Sequence, residues 1–357
     1  MRPGAEPPMS ADRGAGRRRA VLLTVGLLAV AAAVGVPVAW RLLRPASEQL
    51  PLTVVTTVSL PGAASRFDYA DVDAAAHRLF LAHMGDGVLL ELDTDNGAVV
   101  ATVSDLPRVT GVSVVPELRR VYASVAGTGE VVTVDEDAAV VLARVPAGRF
   151  PDGLAYVPST GEVWVSDESG GVETVLDAHS GQPMATVPLG GEAGNVRYDP
   201  VDDRVLVDVQ TRNEVAVIDP HDRAVTRRVS IPGCDHDHGL LVVDRRAFIA
   251  CDGNAVLVTL GLPGFDELGR LHLGEDPDVL AADPGRGVLY VAAESGVLTV
   301  VDLGTTAGRI SGRAYLADDA HVVAVDPTTG RAFFPVPDAG DEHPGLLIAM
   351  PTTDGSR

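Results

Sequence analysis

The sequence predicts an all-β protein, a seven-bladed β-propeller, on three observations. One turn recurs seven times at near-constant spacing, the apolar runs between turns are short, and the composition favours strands over helices. The recurring turn reads Val72-Asp73-Ala74, Val114-Val115-Pro116, Tyr156-Val157-Pro158, Tyr198-Asp199-Pro200, Val243-Asp244-Arg245, Ala282-Asp283-Pro284 and Val325-Asp326-Pro327. Between the middle residues the spacings are 42, 42, 42, 45, 39 and 43. A unit of about 40–45 residues holding four strands is one propeller blade. The 357 residues are 46% apolar and only 4% aromatic, with 38 Gly and 25 Pro, which suits many short strands joined by tight turns.

The unit is clearest over residues 152–192. Gly153 to Val157, Glu162 to Asp167, Val172 to Leu176 and Pro183 to Leu189 are Val-rich runs, each bounded by Gly, Pro, Asp or Ser. The third strand of a repeat ends in aspartate at Asp93, Asp135, Asp177, Asp219 and Asp302. These are expected to form Asx-turns that lead the chain into the fourth strand. An orphan strand, Leu52 to Leu60, precedes the first repeat, and the last repeat has no evident fourth strand of its own. The N-terminal strand is therefore expected to complete the last blade, bringing the two ends of the propeller together and removing an exposed edge. Trp164, Tyr122 and Tyr290 fall in second strands as packing residues, while His77, His179 and His221 fall in turns.

Ahead of the repeats the chain changes character. Residues 1–19 are rich in Pro, Gly and Arg and are expected to be a disordered cytoplasmic N-terminus. Residues 20–40 carry no charge and are long enough to cross a bilayer as a helix. Arg17, Arg18 and Arg19 before this run, heavier than Arg41 and Arg44 after it, place the N-terminus in the cytoplasm. The expectation is a single-pass signal anchor, a linker over 41–50, a propeller over 51–351 outside the cytoplasm and a disordered tail over 352–357. Secretion after signal cleavage is the competing reading; the apolar run exceeds the usual 7–15 residues of a signal peptide.

Residues 1–50 hold seven of the 28 Arg and three of the 49 acidic residues, and the chain has no Lys. Residues 51–357 thus carry 21 Arg against 46 acids, a formal −25. Such a surface repels phosphate backbones and argues against nucleic acid as a partner. A monomer is expected, with a protein or small molecule as the ligand.

Strands such as Leu289 to Ala293, Val121 to Val125 and Val215 to Asp219 resemble the YVTN-type (YncE-like) seven-bladed propeller repeats, over roughly 52–350. The resemblance implies the fold. It leaves function open, because related propellers include exported binding proteins, lactonases and subunits of quinoprotein dehydrogenases, and a fold does not settle function.

In a propeller two loops of each blade open on one face: the entry to the innermost strand, and the connection between strands two and three. The entry position, five residues before each turn and six in blade five with its short turn, holds Asp68, Thr110, Asp152, Gly194, His238, Asp278 and His321, with Asn195 beside the glycine. The second loop contributes His83, Asp167 and Asp252. One face thus gathers candidate ligand-binding residues Asp68, Asp152, Asn195, His238, Asp278, His321, His83, Asp167 and Asp252. Carboxylates suit Ca²⁺ and imidazoles pull toward Zn²⁺, so Asp68, His238, Asp278 and His321 on neighbouring blades are candidate ligands for a divalent metal. The plain alternative is that acids at strand entries bond backbone N–H groups in turns.

The run Cys234 to Gly239 is the densest polar stretch. In an extended strand His236 and His238 would point the same way and could chelate. Cys234 and Cys251 both fall at the top of one hairpin, and outside the cytoplasm such thiols are expected to pair as a disulfide, with a thiolate–histidine metal site as the competing use of the same residues. No Gly-rich phosphate loop and no G-x-S-x-G elbow is present. The expected function is a membrane-tethered binding or scaffold module acting through its top face. The alternative is a metal-dependent hydrolase of the propeller-lactonase type using the same channel.

Overall fold

The computed structural model describes residues 49–352, which form seven four-stranded antiparallel sheets. The first strands of successive sheets neighbour one another and the first and last blades meet, so the sheets close into a ring. Blade three is representative, with strands Pro151–Val157, Glu162–Asp167, Val172–Asp177 and Pro183–Pro188. The expected ring closure is observed. Leu52–Ser59 is the outermost strand of the seventh blade and pairs antiparallel with Gly345–Pro351, from Leu52 opposite Pro351 to Ser59 opposite Gly345. Thr352 N also donates to Pro51 O at 3.0 Å, joining the two ends.

Residues 1–19, 20–40 and 353–357 lie outside the described residues, as does nearly all of the 41–50 linker. Among the described residues no helix is long and apolar enough to cross a membrane.

Burial is deepest in the middle strands of a blade and least in the outermost, which explains the sequence pattern. Inner and second strands are covered on both faces by neighbouring blades, so Val109–Val115 and Glu162–Asp167 are buried along their whole length. Continuous apolar runs are what two-sided burial requires. The outermost strand Val140–Pro146 is mostly exposed. Between blades three and four the core contains Trp164, Val175 and Val187 facing Val196, Val205 and Val207. Trp164 is fully buried and its Nε1 donates to Glu162 Oε2 at 3.1 Å, giving the indole its polar partner.

The aspartates that end third strands act as expected. Oδ1 of Asp93, Asp135 and Asp177 each accepts the N–H groups two and three residues ahead, at 2.7–3.2 Å. Cys234 and Cys251 are joined in a disulfide with a Cα–Cα distance of 5.4 Å, at the top of the blade-five hairpin.

One backbone device positions the channel-facing residues. Pairing of strand one with strand two shifts register between Val109 and Val112, Pro151 and Leu154, Ala193 and Val196, Asp237 and Gly239, and Pro277 and Leu280. The entry residues Thr110, Asp152, Gly194, His238 and Asp278 all lie inside these irregularities. A bulge re-aims a side chain and interrupts the ladder. The residue after the bulged position is often glycine because the next blade passes close by: a Cβ on Gly111 would overlap the carbonyl oxygen of Asp152.

Candidate functional site

The entry residues converge on a cavity of about 320 Å³ at one mouth of the central channel. Asp68, Asp152, His238, Asp278 and Asp252 line it, as expected from their loop positions. Tyr69, directly after Asp68, crosses the channel and forms its floor. Its hydroxyl lies 3.1 Å from Asn195 Oδ1 and 3.5 Å from both Asp152 Oδ2 and His238 Nε2. One side chain from blade one thus reaches blades three, four and five. Tyr69 also borders a second cavity, about 510 Å³, on the far side. That lower space is lined mainly by the Val, Leu and Ala of the inner strands, together with Arg197.

The upper cavity is a network of paired charges. Arg66 Nε sits 3.1 Å from Asp68 Oδ1, and its Nη1 lies 2.7 Å from Glu294 Oε1. Its Nη2 is 3.7 Å from Asp278 Oδ2. His238 presents both ring nitrogens to acceptors: Nε2 lies 3.3 Å from Asp278 Oδ1 and Nδ1 lies 3.1 Å from Gln210 Oε1. Burial works against charging this imidazole, but the Asp278 carboxylate, with Asp152 and Glu168, outweighs it and raises the His238 pKa to about 10. The same pair holds Asp278 below its ordinary value despite its burial, aided by His321 and Arg66. Burial, reinforced by Asp278 and opposed by Arg66, pushes Asp68 up to about 6. Burial and the Asp68 charge push Asp152 well above its ordinary value, and His238 offsets this only in part. Behind His238, Asp208 and Asp237 are fully buried. Burial holds Asp208 well above its ordinary value and raises Asp237 to about 7.

The structure separates the remaining sequence candidates by their partners. His321 is fully buried beside the cavity; its Nδ1 lies 2.9 Å from Asp319 Oδ1, and its Nε2 lies 4.0 Å from Asp68 Oδ1 and 3.9 Å from Asp278 Oδ2. His83 is buried, stacked on Phe67 at 4.1 Å, and its Nε2 lies 3.0 Å from Ser65 Oγ. Asp167 Oδ1 accepts the N–H groups of Arg149, Phe150 and Gly170, the turn-forming role. Asn195 serves the floor through Tyr69. Asp252 pairs with His236 Nδ1 at 2.8 Å. His236 precedes the strand Asp237–Val243 and has φ of 58°, so the extended alternation with His238 stops short of it. Asp68, His238, Asp278 and His321 form one contiguous cluster, but with Arg66 set among their carboxylates. Among the described residues no three His, Cys, Asp or Glu side chains gather in a group suited to hold a metal.

Sequence reasoning missed Arg66, Tyr69, Glu168 and Gln210. Tyr69 carried a signal: the position after the entry residue is Gly111, Gly153 and Gly239 in other blades, and a tyrosine there stands out. Arg66 is a cation at the mouth of an otherwise acidic set of loops.

No family model and no curated protein matches the chain. Solved structures do. A chain of the Kuenenia stuttgartiensis hydrazine synthase superposes with a TM-score of 0.66 at 14% identity, covering 74% of this chain and 91% of that one. U3-55K superposes at 0.68 with 10% identity, covering 82% and 98%. The WD40 repeats of RRP9 superpose at 0.69 with 10% identity, covering 82% and 96%. The chain is a seven-bladed β-propeller. At such identities the likeness carries the fold alone.

Proposed function

We propose that this propeller is a membrane-tethered, extracytoplasmic binding module of the YVTN-like kind, which holds a small ligand in the cavity at its top face. The observation that carries the reading is the cavity itself: an open space of about 320 Å³, walled by polar side chains from several blades and floored by Tyr69. A concave site with convergent polar groups and perturbed titrating residues is where a ligand is expected. Placement outside the cytoplasm rests on the apolar run 20–40 and draws support from the Cys234–Cys251 disulfide, since such bonds persist in oxidising compartments.

A thermal-shift panel on the full chain in detergent tests the cavity, with small cations, anions and neutral molecules as probes. A compound that raises the Tm of the wild type but not of Glu168→Arg, which fills the wall with a guanidinium, supports it. A panel that shifts neither protein overturns it. Protease accessibility of the propeller on intact cells, with the chain in the membrane fraction, tests the tether.

The hydrolase reading keeps one observation in its favour, the contiguity of Asp68, His238, Asp278 and His321. A divalent ion there would have to draw Asp68 and Asp278 away from Arg66. Such an ion would polarise a lactone or ester carbonyl and activate water. Elemental analysis of protein purified without chelator decides it, because a stoichiometric metal lost on His238→Ala is required.

A further inference from the structure

Within the upper cavity most charges are already matched. Asp68 and Glu294 hold Arg66, Asp278 holds His238, and Asp252 holds His236. Asp152, Glu168 and Asp276 line the same space, and among the described residues none of the three is in a salt bridge with an arginine or histidine. Asp152 is the decisive one. It is only 4% exposed, and among the described residues its side chain has one polar contact, the Tyr69 hydroxyl at 3.5 Å. That is beyond the 2.5–3.0 Å of an O–H···O hydrogen bond. A buried carboxyl facing a cavity without a true partner is a costly arrangement unless something else supplies the donor.

The walls beside it are not wholly polar. Phe150, Met84 and Pro277 border the space. Arg108 lies over the Phe150 ring at 4.9 Å, so that aromatic face is already engaged and the rest of the wall offers ordinary apolar contact. A cavity of this volume holds roughly ten waters, or a compact molecule of a few carbons.

Resting on the reading of the cavity as a ligand site, we infer that its ligand is a small primary ammonium on a short apolar body, with Asp152 and Glu168 accepting from the ammonium. Three features select this chemistry. Seven carboxyl groups line the space against Arg66, His236 and His238, so the lining favours a cation over an anion. An ammonium carries three donors that carboxylate and Tyr69 oxygens can accept. A divalent ion needs six to eight oxygens at 2.3–2.6 Å for Ca²⁺, whereas Asp68, Asp252 and Asp278 are already tied to Arg66, His236 and His238. The ammonium requires no pair to be broken.

Isothermal titration of the full chain in detergent with n-butylammonium and putrescine tests the inference, with succinate and CaCl2 titrated in parallel. The expected result is one-site binding of an ammonium probe, weakened at least tenfold by Asp152→Asn and by Glu168→Gln, and unchanged by Glu267→Gln on an outer strand. Asp152→Asn keeps shape but cannot ionise toward an ammonium, and circular dichroism with unchanged Tm excludes misfolding. Succinate or Ca²⁺ binding that Asp152→Asn abolishes, with no ammonium binding, overturns this inference and leaves the cavity a ligand site. Ammonium binding that neither cavity variant weakens also overturns it. Silence from all four probes overturns the inference and counts against the cavity reading as well.

Discussion

Replacing Glu173 with Gln should flatten the pH dependence of stability. Glu173 lies on the strand Val172–Asp177 between blades three and four and is fully buried. Ser166 Oγ donates to its Oε1 at 2.8 Å, while Oε2 has no hydrogen-bond partner. Burial, reinforced by Asp167 and opposed by Ser166, raises its pKa from 4.5 to about 8. A carboxyl whose folded pKa is raised contributes stability that is fully present below the unfolded value and is lost as pH rises through the folded one. The window here runs from about pH 4.5 to 8. At about 1.36 kcal/mol per pH unit, the loss between pH 4.5 and pH 7 is roughly 3 kcal/mol as an upper bound. Gln retains an acceptor for Ser166 and cannot ionise. Urea unfolding of the full chain at pH 5, 7 and 9 reads the effect: the wild type should lose stability relative to Glu173→Gln by up to that amount from pH 5 to pH 7, and by more at pH 9. Parallel pH profiles for the two proteins would refute the reasoning, because Glu173 would then ionise alike in both states.

Removing the Cys234–Cys251 bond by double alanine substitution frees a loop with a sequence separation of 17 and should cost about 3 kcal/mol by chain entropy; an unchanged urea midpoint would count against it. Deleting Leu52–Ser59 strips the outer strand from blade seven and leaves Gly345–Pro351 as an unpaired edge. Gel filtration should then show aggregates, and a monomer with wild-type Tm would contradict the closure argument. Gly111→Ala places a methyl on the Asp152 carbonyl oxygen, so it should lower Tm by several degrees and weaken binding in the cavity, whereas a neutral result would mean that the bulge yields easily.

Much of the architecture was readable before any coordinates. Periodicity counted the blades because each must bury the same two faces, so equivalent strands and turns recur at one spacing. Asp93, Asp135 and Asp177 announced their turns because an Asx-turn is made with N–H groups two and three residues away, wholly within local sequence. The disulfide followed from two cysteines placed at the same end of one hairpin. The candidate site was readable only as a set of positions. Asp152, His238 and Asp278 share the entry loops and reach the cavity. His83 and Asp167 occupy equivalent second-loop positions, yet one stacks on Phe67 and the other holds the N–H groups of Arg149 and Phe150.

The sequence by itself determined the fold class, the blade number, the closing strand, the turns and the bridge, all of which depend on local chemistry or on a repeating burial pattern. Only the tertiary structure decided which carboxyls are matched. Arg66 meets Glu294, and Tyr69 spans to Asn195 and His238, across separations that no local spacing encodes. The reach of a side chain over a closed ring depends on the channel's width and on bulges that turn each entry residue inward. Those are properties of seven blades packed together, and among the described residues they leave Asp152 buried in the wall of the cavity with no polar side-chain contact nearer than the Tyr69 hydroxyl at 3.5 Å.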